Sequence, residues 1–172
     1  LIHPWQVPMA NVKGVIESSG VDASRVHVIE VRGSWMTPWS QAAAVKAVAA
    51  ALAETDPAKA ATYEERAKER AQAISEYGGQ LAEELKEAGV DSLAALSNEK
   101  QAEFVEWAGF DVVGTFGRAE DLSVADVEAL IRKGREAGVG LVIENLQSGE
   151  SETSRAVAEE IGAVHVVLSN FP

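Results

Sequence analysis

Three histidines are the side chains in this sequence best suited to binding a metal or moving a proton. His27 and His165 each lie inside a β-branched run, which is typical of ordinary strand residues. His3 lies where a strand would lead into a loop, two residues before Trp5. Those two side chains could line a cleft, or Trp5 could pack on the following helix while His3 is solvated. The three histidines have no metal-ligand spacing of their own: the sequence has no H-E-x-x-H and no paired histidines on a helix face.

The remaining candidates for chemistry are weaker. Glu120-Asp121 could bind a cation or a polar ligand, or could favour the N-terminus of the next helix through the helix dipole. Ser97, Ser123 and Ser169 lie near predicted strand ends, but there is no G-x-S-x-G motif. The absence of cysteine excludes disulfides, thiolate metal sites and a cysteine nucleophile. With no convincing nucleophile–base pair, the residues do not predict an enzyme.

Composition narrows the class of partner. The chain has 172 residues, 47% of them hydrophobic, and a formal net charge of −12. This charge argues against nucleic acid, which requires a basic surface, and against docking on anionic lipid. No apolar run is long enough to span a bilayer, and we expect no signal peptide within these 172 residues. We therefore expect a globular protein that neither spans a membrane nor binds nucleic acid.

Two consecutive helices occupy the middle of the chain. Thr37 is a good N-cap and Pro38 suits the first helical position, which predicts a helix to about Glu54. Asp56-Pro57 repeats this start signal and opens a longer helix that Gly89 closes. Spacings of three and four give this helix one apolar stripe, formed by Ala67, Ala71, Ile74, Gly78, Leu81, Leu85 and Ala88. A helix of this length between two α/β segments predicts a connector.

Strands and helices alternate on either side of the connector. A helix over 9–18 and a strand over 26–31 precede it. After it, the apolar runs predict strands at 92–97, 111–116, 141–144 and 164–168. Helices are predicted over 98–108, after the capping residue Ser123, and over 151–161. This alternation predicts a parallel sheet covered on both faces, with ligands beyond the carboxyl ends of its strands. The residues at those ends are 98–99, 117–120, 144–147 and 169–171.

The order of these segments resembles a known family. WMTPWSQAAAVKAVAAALAETDPAKAATYEERAKERAQAI is similar to the domain-linking region of zinc- and manganese-binding solute-binding proteins of ABC importers. W-M-T-P corresponds to that family's W-L-D-P, and both the Asp-Pro dipeptide and the following Tyr-Glu are kept. AEFVEWAGFDVVGTF and EDLSVADVEALIRKGREAGVGLVIENLQSGESETSRAVAEEIGA continue the resemblance. It extends over nearly the whole chain.

The resemblance implies a two-lobe α/β solute-binding protein with parallel sheets joined by a long linker helix. Residues 1–36 would be the remnant of an incomplete N-terminal lobe, since the family's first histidine would lie upstream of Leu1. Residues 37–89 would form the linker helices. Residues 90–172 would form a C-terminal lobe with a four-stranded parallel sheet.

The resemblance also locates the family's metal ligands. The histidine two residues before the family's tryptophan corresponds to Gly33, which has no side chain. The ligand that opens the first helix of the second lobe falls near Asn98, and the carboxylate loop falls near Glu120. The final aspartate falls near Ser169 or Asn170. Most of the family's metal-ligand positions are therefore replaced: Gly33 has no side chain, and neutral amides are weak ligands for a dication.

The resemblance implies that the protein is the solute-recognition component of an ABC importer and works with a permease. The protein itself would be periplasmic, or extracellular and anchored to the membrane. The expected ligand-binding residues are His3, Trp5, Trp35, Asn98, Glu120 and Asn170. Zinc or manganese is the cargo that the resemblance implies. One alternative is a polar or aromatic organic solute, read by stacking and hydrogen bonds. Others are an enzyme on a doubly wound sheet and an interaction module that uses the charged helix face at 64–84.

Overall fold

The computed structural model describes residues 1–149 and 152–170 and contains one four-stranded parallel sheet in these ranges. Its strands are β1 (Ala94–Asn98), β2 (Asp111–Phe116), β3 (Leu141–Asn145) and β4 (Val164–Leu168). The α-helices are α1 (Ala10–Ser19), α2 (Pro38–Thr55), α3 (Ala60–Glu87), α4 (Ala102–Trp107), α5 (Val124–Ala137) and α6 (Glu152–Ile161). All the strand pairs are parallel, in the spatial order β2-β1-β3-β4. The predicted α/β class is confirmed.

The chain divides into two compact units. The first consists of residues 1–33 and 38–78, and the second of residues 34–37 and 79–172. The second unit holds the whole sheet. None of the helices in residues 1–149 and 152–170 has both the length and the apolar character that a transmembrane helix requires.

Apolar side chains cover both faces of the sheet, as its nearly continuous apolar strands predict. On one face Leu96 and Val142, both fully buried, pack with Val157 and Ala158 of α6 and with partly buried side chains of α5. On the other face Ala95 and Ile143 pack with Val105 of α4. The sheet is therefore a central layer between helices, and its strand ends are fixed by packing on both sides.

The predicted strand over residues 26–31 is reduced to one bridge. Ile2 pairs in parallel with Val28, held by hydrogen bonds from Ile2 N to His27 O (2.9 Å) and from Ile29 N to Ile2 O (2.8 Å). Ile29 and Val31 are nevertheless buried, against Ala44 and Ala51 of α2. The β-branched run thus alternates in burial as a strand does, but Ile2 is its only strand partner among the described residues.

The two long helices α2 and α3 begin where their start signals predict. α2 begins at Pro38, and the Thr37 hydroxyl donates to the Ser34 carbonyl oxygen at 2.8 Å. After Asp56 the chain makes one turn of 3₁₀ helix before α3 begins at Ala60. Ala67, Ala71 and Gly78 of the apolar stripe are buried, whereas Ala88 lies beyond the end of α3 and is exposed.

The first strand and helix after the linker start later than the sequence predicts. Gly89 adopts a left-handed conformation with φ of 77°, and residues 90–92 then form a 3₁₀ turn, so β1 begins only at Ala94. Asn98 ends β1 instead of opening a helix. Gln101 N donates to Asn98 O at 2.8 Å, and α4 follows from Ala102.

α5 opens with the predicted capping box. Asp126 N donates to Ser123 Oγ at 3.2 Å, and Ser123 donates to the Asp126 carboxylate through its hydroxyl (2.6 Å) and its backbone N–H (2.9 Å). These two donors, the hydroxyl first, hold the pKa of Asp126 below its ordinary value of 3.8. The contribution of this carboxylate to stability is therefore complete above pH 3.8 and is lost as the pH falls through the lower pKa of the folded state.

We expect Ser123→Ala to lower the melting temperature at pH 7, and expect the difference from wild type to shrink between pH 4 and pH 2. The variant loses the hydroxyl donor and keeps the backbone N–H donor, so it loses the hydroxyl's preference for ionised Asp126, which disappears on protonation. Melting curves at a series of pH values measure the difference. The matched control is Ser18→Ala, because that exposed hydroxyl donates to the Val15 carbonyl oxygen and not to a carboxylate. An unchanged difference for Ser123→Ala across this range would contradict the assignment.

Candidate functional site

A polar cleft of about 340 Å³ lies at the carboxyl end of the sheet in the second unit. Its walls come from the segments that follow β1, β2, β3 and β4, which meet at one edge because the strands are parallel. The lining residues are Asn98, Glu99, Lys100, Arg118, Asp121, Asn145, Gln147, Ser148 and Asn170. The strand ends singled out in the sequence therefore come together.

Asn98 and Glu144 form the buried base of this edge. Asn98 is 1% exposed and Glu144 is 5% exposed. The amide nitrogen of Asn98 donates to Glu144 Oε1 at 2.7 Å, and the same oxygen accepts the backbone N–H of Asn145 at 2.7 Å. Asn98 Oδ1 accepts the N–H of Lys100 at 3.0 Å. Glu144 is thus a buried carboxylate satisfied by hydrogen bonds, and it holds the ends of β1 and β3 together.

Gln101 links the end of β3 to the end of β4. Its side chain is fully buried, and Nε2 donates to Asn145 Oδ1 at 3.0 Å and to Asn170 Oδ1 at 2.8 Å, with Leu168 O at 3.5 Å. Its Oε1 accepts no hydrogen bond from the described residues. Gln101 therefore determines how two cleft-lining amides are oriented.

The outer part of the cleft is also built of neutral polar groups. Gln147 accepts the backbone N–H of Asn170 at 2.9 Å and donates to Ser169 Oγ at 2.9 Å. Ser148 Oγ accepts from Asn145 Nδ2 at 2.8 Å. These bonds tie the segment after β3 to the segment after β4.

Charged side chains of both signs surround the opening. Lys100 lies 3.3 Å from Glu99, and Arg118 lies 3.5 Å from Glu120. Asp121 supplies a further carboxylate. Across residues 1–149 and 152–170, no three histidine, aspartate or glutamate side chains converge as a metal site would require. The arrangement is suited to hydrogen bonding with a small polar molecule and, as it stands, fits poorly to a dication.

The six predicted ligand residues divide between the two units. In the first, His3 and Trp5 are neighbours, with ring centroids 6.1 Å apart; Trp5 is 61% exposed. His3 Nε2 lies 3.4 Å from the Val31 carbonyl oxygen. In the second, Asn98 and Asn170 both line the cleft. Trp35 and Glu120 belong to the same unit but are not among the described residues that line it.

Several residues of the cleft were not among the six expected from the sequence. The additional lining residues are Glu99, Lys100, Arg118, Asp121, Asn145, Gln147 and Ser148. Gln101 does not line the cleft but supports it through its hydrogen bonds to Asn145 and Asn170. Asn145 and Gln147 fall in a strand-end segment already marked for inspection. Gln101 was outside the segments predicted to lie at strand ends. The predicted helix that begins at residue 98 would place Gln101 in its first turn. Phe171, the last residue of the marked segments, lies outside the described residues.

The other two histidines have local partners; His165 lies in β4 as predicted, whereas His27 lies outside the strands. His27 lies 3.1 Å from the Thr55 hydroxyl and 3.4 Å from Glu54. His165 Nε2 lies 3.0 Å from the Ser154 hydroxyl. Burial lowers the pKa of His165 and Arg155 lowers it further, while Glu144 acts in the opposite direction. His165 is therefore neutral at pH 7.

Comparison with known families agrees with this architecture. Residues 16–171 match the family described as the periplasmic component A of the zinc-uptake complex, ZnuA. The chain belongs to this family. No curated protein gives a significant match to the sequence. The zinc- and manganese-type resemblance seen in the linker and second-lobe motifs is thereby confirmed at the level of the family.

Solved structures of proteins that bind or transport metals share the fold. A metal-free periplasmic metal-binding protein from Candidatus Liberibacter asiaticus aligns at 18% identity and a TM-score of 0.66 over 87% of this chain. The Ni²⁺ complex of FpvC from P. aeruginosa aligns at 15% identity and 0.69 over 98% of it. The laminin-binding protein of Streptococcus agalactiae aligns at 15% identity and 0.71 over 95% of it.

The alignments cover smaller shares of these proteins themselves. They include 56% of the Candidatus Liberibacter asiaticus protein, 68% of FpvC and 75% of the laminin-binding protein. The chain thus spans little more than half the length of the first of these relatives. At such low identities the structural similarity shows the fold alone. The matched structures are solute-binding proteins with two α/β lobes.

Proposed function

We propose that the chain is the solute-recognition part of an ABC importer and holds its solute at the polar cleft of the second unit. The observation that carries the proposal is the convergence of buried amides at the carboxyl end of a parallel sheet, where ligands of such sheets bind. Membership of the zinc-uptake family supports a binding role in import. Its partner would be a permease, and its location the periplasm or the outer face of a membrane.

A recognition protein binds and releases its solute without transforming it, and the cleft is consistent with this behaviour. Its amides are engaged in hydrogen bonds with one another or with Glu144, and Lys100 and Arg118 are paired with carboxylates at the rim. Among the described residues of the cleft, no nucleophile is hydrogen-bonded to a general base. His3, Trp5 and Trp35 remain proposed ligand contacts alongside Asn98, Glu120 and Asn170.

Zinc or manganese is the second candidate class of solute, favoured by the family to which the chain belongs. The carboxylates Glu99, Glu120 and Asp121 around the cleft are its potential ligands. This version of the proposal requires them to leave their present positions and converge, because no three acidic or histidine side chains do so among the described residues.

The test is a binding experiment on purified protein with Zn²⁺, Mn²⁺ and small polar organic solutes. We expect one of them to bind with one-to-one stoichiometry and to raise the melting temperature. At a free concentration of 100 times Kd, ligand binding stabilises the folded state by about 2.7 kcal/mol. Isothermal titration calorimetry gives the stoichiometry, and mass spectrometry of the released solute shows whether it is unchanged. Failure of every solute to bind, or its recovery as a product, would argue against a recognition protein.

A further inference from the structure

The hydrogen-bond network fixes which way the cleft amides face. The Leu168 carbonyl oxygen lies 3.5 Å from Gln101 Nε2, and a backbone carbonyl can only accept, so the Gln101 nitrogen must face it. Asn145 and Asn170 must then present their oxygens to that nitrogen. The nitrogen of Asn145 consequently points to Ser148 Oγ, at 2.8 Å. One backbone group, the Leu168 carbonyl, thus sets the orientation of three amides through a chain of hydrogen bonds.

Asn98 is fixed in the same manner. Its nitrogen faces the acceptor-only oxygen of Glu144 and the Gly117 carbonyl oxygen, and its own oxygen accepts the Lys100 N–H. Gln147 is fixed because its oxygen accepts the Asn170 N–H. Each amide oxygen of the four cleft-lining amides therefore accepts a hydrogen bond within the network. These residues are Asn98, Asn145, Gln147 and Asn170.

Apart from the second lone pair of each oxygen and the buried Oε1 of Gln101, what these amides leave for a ligand consists of donors. Asn170 retains both N–H groups of Nδ2, which have no hydrogen-bond partner among the described residues. Ser148 retains its hydroxyl hydrogen, since its oxygen already accepts from Asn145. Lys100 and Arg118 add N–H donors at the rim, although each also contacts a carboxylate. A bare dication needs several converging oxygen or imidazole ligands. Glu99 and Asp121 line the cleft, but among the described residues no three acidic or histidine side chains converge.

We propose that the cleft selects a small organic solute bearing hydrogen-bond-accepting oxygens over a bare dication, with the side-chain N–H groups of Asn170 as donors to that solute. By taking up the oxygen of Asn170, Gln101 leaves that residue's two N–H groups for the solute. A volume of about 340 Å³ agrees with this class, because pockets for small molecules begin at roughly 300 Å³. The inference rests on the proposed recognition function and specifies its solute class.

Asn170→Asp tests the inference with almost no change in shape. The carboxylate keeps an oxygen for Gln101 Nε2, but replaces the two remaining donors with an acceptor. We expect Zn²⁺ to bind this variant at least about tenfold more tightly than wild type. We expect any organic probe that binds wild type to lose at least about tenfold in affinity, since a donor becomes a repelling lone pair. The probes are D-glucose, glycine betaine and citrate, which carry neutral, zwitterionic and anionic oxygen acceptors.

Asn11→Asp is the matched control, because it makes the same charge change on the exposed surface of α1. Its affinities should equal those of wild type. Tight binding of Zn²⁺ to wild type that Asn170→Asp leaves unchanged would overturn the inference while leaving the recognition function intact. Equal binding of an organic probe by wild type and Asn170→Asp would overturn it as well. If neither Zn²⁺ nor any probe bound wild type, both the inference and the recognition function would fail.

Discussion

Glu144→Ala is expected to destabilise the protein by about 2–6 kcal/mol, because two buried donors lose their acceptor. The substitution removes the oxygen that accepts both the Asn98 side-chain N–H and the Asn145 backbone N–H, each at 2.7 Å. Asn98 and Asn145 are 1% and 2% exposed, so water cannot readily replace the lost acceptor. Each buried donor left without a partner costs about 1–3 kcal/mol. The same change should loosen the cleft, because both residues line it.

Urea unfolding followed by circular dichroism gives the change in the free energy of unfolding. Glu144→Gln keeps one accepting oxygen and should lose less stability than Glu144→Ala. Glu128→Ala on the exposed surface of α5 is the control for loss of a glutamate, and a change within about 0.5 kcal/mol is expected there. Equal effects of Glu144→Ala and Glu128→Ala would show that the buried hydrogen bonds contribute little.

Gly78→Ala should destabilise the first unit by about 1–3 kcal/mol, although alanine is the better helix former. A Cβ at this position would meet the Pro38 ring, with Pro38 Cβ only 2.7 Å away. The close approach of α3 to the start of α2 therefore requires a residue without a side chain. Overpacking at such a contact displaces backbone and side chains and typically costs 1–3 kcal/mol.

The neighbouring glycine supplies a matched control in the same helix. A Cβ on Gly79 would have nothing within 4 Å, so Gly79→Ala should stabilise α3 by about 0.5–1 kcal/mol through helix propensity. Both changes add one methyl group within one helix, and only the contact with Pro38 distinguishes them. Chemical denaturation of the two variants measures the difference. Stabilisation of similar size in both would show that Pro38 does not confine residue 78.

Local signals predicted most of the fold. The strands at 111–116 and 164–168 have the predicted bounds, and the capping box at Ser123 forms as its spacing indicates. The prediction was wrong where a segment needs a second strand in order to form a ladder. Residues 26–31 have strand composition, but a ladder requires a second strand, and the described chain offers them only Ile2.

The candidate site was predictable in position and less so in composition. Parallel strands place their carboxyl ends at one edge, so Asn98 and Asn170 could be expected there from the sheet alone. The role of Gln101 depends on hydrogen bonds to residues 44 and 69 positions away, and no local pattern encodes such distances. The direct contacts of His3, Trp5, Trp35 and Glu120 with a solute stay predictions.

The strand order has a consequence for how the second unit assembles during synthesis. β1, the first strand to be made, is flanked by β2 and β3 and is therefore interior to the sheet. Its contact with β3 joins Ala95 to Leu141, and this non-local pairing raises the contact order of the unit. Until β3 has left the ribosome, the apolar residues of β1 have only one of their two neighbouring strands. We expect the nascent chain to fold late, after most of the unit has emerged.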